Sequence, residues 1–412
     1  MINLKKYIPE GTRDILFEEC SAKVKIENIL RDIYLNHGYH EVISPTLEFY
    51  DVFDLENQPI AQEKMYKLFD NLGRILVLRP DMTTPIARIA GTKINEEIYP
   101  LKLCYNSNVY RVNESLNGKL SEFTQSGVEI IGVKSLRADV EAIITSIKIF
   151  NKIGLSSFKI EIGESQFFKY IIEDLNLDDE EKEALRLYIQ NKNISALREF
   201  LGSKSQIIDK NTTEILQKLP ELFGGIEVLE EVKALIKNKK ALMAIENIKN
   251  IYTLIDSLGM SEYISIDLGM VQHINYYTGL IFRGYCIGAG NDILSGGRYD
   301  TLIESFGKKL PATGFALNID SILNALAVQG MQFENKKIQK LIFCLKDELL
   351  DAYELLNKLN KDGFSAEVSL YEKESEALEY GKKRNIQSFI NLSTKNSYEL
   401  ENGEWVETNF SI

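Results

Sequence analysis

From about residue 166 to 250 the chain changes texture: Glu, Lys, Leu and Ile dominate and proline nearly vanishes. The run Asp178-Asp-Glu-Glu-Lys182 is a helix start, because carboxylates favour the positive end of the helix dipole. On either side the pattern is that of strands. Phe158, Ile160 and Ile162 alternate with polar residues, and the segments Tyr263 to Leu268, Tyr276 to Ile287 and Ile293-Leu294 are strand-forming. A helical block flanked by strands predicts a helical subdomain inserted into a mixed α/β core. At 412 residues the chain exceeds one ordinary core and divides into two or three domains.

Local signals refine this plan. Ser135 is placed to cap a helix whose apolar positions Leu136, Val140, Ile143, Ile144 and Ile147 follow the helical period, with Gly154 as its stop. Near residue 335 a tail begins. An apolar run Leu341-Ile-Phe-Cys-Leu345 precedes an amphipathic helix from about Glu348 to Lys361. A strand follows over Phe364 to Leu370, then a helix over Glu376 to Arg384 and a strand over Phe389 to Leu392. That β-α-β-α-β order predicts a small three-layer α/β unit. The expected division is a core over residues 1–325 carrying the insertion, a linker over 326–335, and a C-terminal domain over 336–412.

Composition narrows the function classes. With 44% hydrophobic and 26% charged residues the chain reads as a soluble globular protein, and no apolar run is long enough to span a membrane. The N-terminus has no apolar signal core, which predicts a cytoplasmic protein. The cysteines at 20, 104, 286 and 344 are far apart, as expected of free thiols in a reducing compartment. Neither they nor the three scattered histidines have metal-ligand spacing, so no metal or other cofactor is expected. A net charge of −12 weighs against a protein whose main task is gripping nucleic acid.

Several segments carry chemistry-bearing side chains. In Leu78-Arg-Pro-Asp81-Met-Thr83-Thr-Pro85-Ile-Ala-Arg88 a strand runs into a turn, and Thr83 or Thr84 is the expected helix cap, with Pro85 in the first turn. Asp81 and Thr83 are also suitable acceptors for an ammonium group. Tyr110-Arg111-Val-Asn113-Glu114 and Phe123-Thr-Gln125-Ser-Gly-Val-Glu129 place one cation among several acceptors. Tyr276-Tyr277-Thr-Gly279 offers apolar faces with polar tips, suited to a small heterocycle or to core packing on a strand. Arg298 in Gly296-Gly-Arg-Tyr-Asp300 is free to meet a ligand carboxylate or to turn inward for structure. Gly288-Ala-Gly290 lacks the strand-loop-helix setting of a dinucleotide site and is expected to be a hairpin turn.

Taken in order, these segments resemble the histidyl-tRNA synthetases. Pro9-Glu-Gly-Thr-Arg-Asp14 resembles their N-terminal signature and Gly38 to Glu48 their motif 1. The Arg111 and Gln125 segments resemble motif 2, Leu268 to Gly279 the histidine-specific signature, and residues 296–300 with 311–321 motif 3. The resemblance implies a class II synthetase-like fold of mixed α+β type: an antiparallel sheet core with a helical insertion, and a tail like a reduced anticodon-binding domain. It also implies a histidine pocket made by Asp81, Thr83, Arg111, Gln125, Glu129, Tyr276 and Tyr277. Asp81 stands where that family has glutamate.

The departures fall on the nucleotide side. Gln272 and Ser321 stand where the family has arginines, Asn113 where it has the glutamate that reads adenine, and Glu114 where a further arginine is usual. Gln and Ser supply neither the permanent charge nor the planar fork of arginine, and a carboxylate at 114 would repel a triphosphate. The same departures mark a paralogous family, the regulatory subunits of ATP phosphoribosyltransferase. This resemblance implies no catalytic residues, L-histidine as effector, a homodimer through motif 1, and a hetero-octamer with the short-form catalytic subunit for the first step of histidine biosynthesis. Two alternatives stay open: a divergent active synthetase with another cation at the clamp, and an amino-acid-binding module with another partner.

Overall fold

The structure, a computed structural model, describes residues 4–55, 60–95, 98–113, 120–271, 276–331 and 337–409. It divides into two compact units, one up to residue 332 and one from 333.

In the first unit the strands in chain order are β1 (His40–Glu41), β2 (Leu47–Phe49), β3 (Lys67–Phe69), β4 (Ile75–Leu78), β5 (Leu101–Tyr110), β6 (Glu122–Ile131), β7 (Phe158–Glu164), β8 (Phe223–Gly224), β9 (Ile264–Asp267), β10 (Leu280–Cys286), β11 (Leu294–Arg298) and β12 (Ala312–Asn318). Nine of them form one sheet in the order β1-β5-β6-β12-β11-β10-β7-β9-β8. Its centre is antiparallel, and only the β1–β5 and β7–β9 pairs are parallel. A small antiparallel sheet, β2-β4-β3, lies apart from it in hydrogen bonding.

Helices α1 (Phe17–Asn36), α2 (Thr83–Thr92) and α3 (Leu136–Lys152) belong to the core. Ser135 accepts from the Arg137 backbone N–H at the start of α3, which ends just before Gly154 at φ +78°. On α1 the residues Ala22, Ile26, Leu30 and Tyr34 recur every four positions and are buried. Tyr34 reaches Ser126 at 3.3 Å and lies against Phe315, so this helix covers the face of the sheet to which Ser126 and Phe315 point. Alternation then turns Gln125, Gly127, Glu129, Gly314 and Ala316 to the opposite face. That face is the floor of the site.

The helical insertion comprises α4 (Ser165–Ile172), α5 (Asp179–Gln190), α6 (Ile194–Ser203), α7 (Lys210–Lys218), α8 (Glu227–Lys233) and α9 (Lys239–Ser257). A reciprocal capping box between Asp178 and Glu181 starts α5. The insertion is joined to the core: β8 pairs with β9 at the sheet edge, and α9 packs on α3 and β7. Helix α10 (Ile319–Val328) completes this unit.

The second unit holds β13 (Lys340–Phe343), α11 (Leu349–Lys361), β14 (Ala366–Val368), α12 (Glu374–Lys383), β15 (Ser388–Asn391), β16 (Asn396–Glu401) and β17 (Glu404–Thr408). Its sheet runs β14-β13-β15-β16-β17. Ala352, Leu355 and Leu359 of α11 pack with Ile342 and Ile390 on one face; Ala377 of α12 packs with Leu341, Phe343 and Phe389 on the other. This is the expected three-layer unit, extended by the hairpin β16–β17, which the sequence reading left out.

Two local expectations are corrected. The donor at the start of α2 is satisfied by Asp81, whose Oδ1 accepts from the Thr84 N–H at 2.8 Å, and not by a threonine side chain. An aspartate just ahead of the helix is spaced to accept from an N–H of the first turn, while Thr83 is already helical. Tyr276 and Tyr277 precede β10 instead of lying on it. Thr278 N–H donates to Arg298 O, and Gly279 O accepts from Ser165 N–H, so the chain turns here before the ladder begins.

Candidate functional site

A cavity of about 320 Å³ opens on this face of the large sheet. Asp81, Thr83, Arg111, Gln125, Glu129, Tyr276 and Tyr277 all line it, so residues from four separate chain segments meet at one place. Tyr299, Arg283, Asp292, Ser295 and Gln190 line it as well.

The floor is shaped by glycines. Gly314 pairs with Glu129 across β12 and β6, and Gly297 pairs with Gly314 across β11. A Cβ on Gly314 would stand 2.0 Å from Glu129 Oε2, and one on Gly297 would stand 2.8 Å from the Tyr277 ring. Bare backbone at these positions therefore makes room for the carboxylate and the aromatic wall. That wall is Tyr276, set edge-on to Tyr277 with centroids 4.7 Å apart and stacked on Tyr299 at 5.8 Å.

The polar groups divide by charge preference. Glu129 is fully buried and accepts a hydrogen bond from Tyr299. Burial raises its carboxyl to about 8, opposed by the hydrogen bonds from Tyr299 and Thr83. Asp81 is raised for the same reason, with the Thr84 N–H and the charge of Arg111 pulling the other way. Gln125 Oε1 is buried without a hydrogen-bond partner among the described residues. An unpaired acceptor beside two desolvated acids is a site that gains most from a cationic donor, which satisfies the amide and restores charge to the carboxylates. Arg111 is held by donating Nε to Pro80 O at 2.8 Å and lies 5.2 Å from the Phe123 ring centroid.

Beyond Arg111 lies a second cavity of about 600 Å³, which shares Ile60, Arg111 and Asp292 with the first. Asn113 and Ser321 line it, with Asn291, Asn318, Asn324 and the Gly288–Gly290 turn; Lys64 and Arg111 are its cations among the described residues. Asn113 Nδ2 donates to Leu120 O at 2.8 Å, and the Ser321 N–H donates to Asn318 Oδ1 at 3.0 Å. Asp320 lines this cavity too, but its oxygens are engaged by the protein. It accepts from the Thr124 N–H at 2.8 Å and pairs with Arg13 at 3.1 Å and Lys23 at 3.4 Å. Glu114 and Gln272 lie outside the described residues.

Arg298 also faces inward, pairing with buried Asp139 at 2.9 Å and with Asp300 at 3.2 Å. Sequence reasoning gave no role to Tyr299, although it stands beside Arg298 in a segment already singled out. It had no means of finding Gln190, Arg283 or Asp292, which reach the cavity through tertiary packing.

Residues 11–322 match the family model described as histidyl-tRNA synthetase. The chain is 54% identical over 402 residues to the ATP phosphoribosyltransferase regulatory subunit of Clostridium acetobutylicum, covering 98% of this chain and 99% of that one. A Bacillus halodurans crystal structure described as an ATP phosphoribosyltransferase regulatory subunit/histidyl-tRNA synthetase superposes with a TM-score of 0.83 at 32% identity, over 94% of this chain and 98% of the other. A Nostoc histidyl-tRNA synthetase shares the fold, with a TM-score of 0.80 at 21% identity over 99% of this chain and 97% of its own. Built on a histidyl-tRNA synthetase domain, this chain belongs to the family of ATP phosphoribosyltransferase regulatory subunits.

Proposed function

We propose that this chain is the non-catalytic partner of a short-form ATP phosphoribosyltransferase, acting in the first step of histidine biosynthesis and conveying feedback inhibition by L-histidine. The observation that carries this reading is the pairing of the two cavities. The first keeps acceptors and aromatic walls suited to a small cationic amino acid; in the second, Asn113 and Ser321 stand where synthetases grip a nucleotide.

Histidine enters the first cavity with its ammonium and imidazole toward Asp81, Thr83, Gln125, Glu129 and Tyr277, and its carboxylate toward Arg111. Binding changes the partner's activity only if one state of the assembly binds histidine more tightly than the other. The chain itself performs no adenylation, because its second cavity holds too few cations for a triphosphate. The protein acts in the cytoplasm without nucleic acid; among the described residues no helix is long and apolar enough to cross a membrane.

A homodimer forms through the motif 1 region. Ile43, Leu47, Phe49, Phe69, Leu72 and Ile75 are exposed on and beside the three-stranded sheet, and an apolar surface of this kind favours a protein partner. Within the hetero-octamer this dimer is the repeating unit.

The test is phosphoribosyl-ATP formation by each chain alone and by the mixture, with and without histidine. Activity that appears only in the mixture and falls with histidine is expected. A partner that is fully active and equally inhibited on its own overturns the reading.

A further inference from the structure

Among the described residues, the helical insertion contributes one side chain to the lining of the first cavity: Gln190, the last residue of α5. Its amide is not free to turn. Arg186, one helical turn earlier, donates from Nη1 to Gln190 Oε1. The Arg186 side chain is only 4% exposed and is itself clamped: Nε and Nη2 donate to Glu183 at 2.8 and 2.5 Å, and Nη1 also donates to Val271 O at 3.3 Å. An arginine has only donors, so the Gln190 oxygen must face it, and the amide NH2 is the group left to point elsewhere.

The cavity already has its acceptors for a cationic ligand end in Asp81, Gln125 and Glu129. What an amino acid brings besides is a carboxylate, and a carboxylate needs donors. Arg111 is one. The geometry points to Gln190 as a second: a specificity-determining residue that donates its amide NH2 to the ligand carboxylate, with Arg186 as the positioning residue that fixes the amide. The insertion thereby becomes a cover over the site. Through Val271, the same arginine ties α5 to the segment that leads to the Tyr276–Tyr277 wall. This inference rests on the reading that histidine occupies the first cavity.

Calorimetry on the full chain with histidine and with histamine, which lacks the carboxylate, tests it. Gln190 is exposed on the helix, so Gln190→Ala leaves the fold intact. Loss of one donor to a charged group weakens histidine binding about tenfold, while histamine changes by less than about twofold. Arg186→Met reproduces this loss of discrimination, and Arg186→Lys, which keeps one cationic donor, restores part of it. Equal effects on both ligands, or no effect of Gln190→Ala on histidine, overturn the inference while leaving the histidine site standing. If the unaltered chain binds no histidine, the histidine site itself fails and this inference falls with it.

Discussion

Tyr299 donates its phenolic hydrogen to Oε2 of Glu129 with both side chains buried, and Gly314 leaves the space in which that carboxylate sits. This pair sets the protonation chemistry of the cavity, because among the described residues no other carboxyl on the floor of the sheet is held so far from solvent.

Burial raises Glu129 from an ordinary 4.5 to about 8. Between those values the folded protein holds a proton that the unfolded chain has lost, so this group's contribution to stability is neutral below about pH 4.5 and declines as pH rises toward 8. A cationic ligand favours the ionised carboxylate. Histidine binding at pH 7 is therefore expected to release up to about one proton per site. Calorimetry in buffers of different ionisation enthalpy measures it; a release near zero means Glu129 stays a neutral donor.

Tyr299→Phe removes the hydrogen bond that lowers the Glu129 carboxyl, so the pH midpoint of histidine binding moves upward. Affinity at neutral pH falls by about 1–2 kcal/mol. Titration of affinity against pH for both proteins checks the direction, and a downward shift contradicts the assignment of the donor.

Gly314→Ala places a methyl 2.0 Å from Glu129 Oε2. The carboxylate has to leave its position, and histidine binding is lost, with a stability cost of about 1–3 kcal/mol for overpacking. Binding isotherms and thermal unfolding separate the two effects. Retained affinity places the ligand elsewhere.

Arg298→Ala leaves Asp139 as an uncompensated charge in the core. Breaking a buried pair in this way costs about 3–5 kcal/mol, read from denaturant unfolding. Since the Arg298 side chain faces Asp139 and not the cavity, the folded fraction should bind histidine within about twofold of the unaltered chain. A large loss of affinity in folded protein would restore Arg298 to the ligand.

No histidine-dependent ATP–pyrophosphate exchange is expected. Asn113 and Ser321 offer an amide and a hydroxyl where charge is needed, and each missing charged contact costs on the order of 2–4 kcal/mol of transition-state stabilisation. Clear exchange would restore the synthetase reading.

What the sequence disclosed and what it concealed follow from the range of the forces involved. Helix α3 was legible because Ser135 and a helical apolar period are local signals. The gathering of Asp81, Glu129 and Tyr277 was legible through a resemblance, since no spacing rule links residues so far apart. The hairpin β16–β17 was missed although Asn402-Gly403, both at positive φ, is the turn such hairpins favour. Its strands are rich in glutamate and carry little apolar alternation beyond Tyr398 and Trp405. The sequence offers Asp81 and Thr83 as ligands and Thr83 or Thr84 as the cap. In the structure the aspartate caps the helix and faces the cavity at once, a double duty that sequence pattern cannot separate.

The bare backbone at Gly297 and Gly314 has a consequence for how such a receptor can diverge. Its base is cut from main chain, which no side-chain replacement can deepen. Any change there adds atoms and shrinks the hollow. New ligand preferences must therefore arise in the rim, where Gln190 is exposed at the end of α5 and can be exchanged without disturbing the sheet beneath.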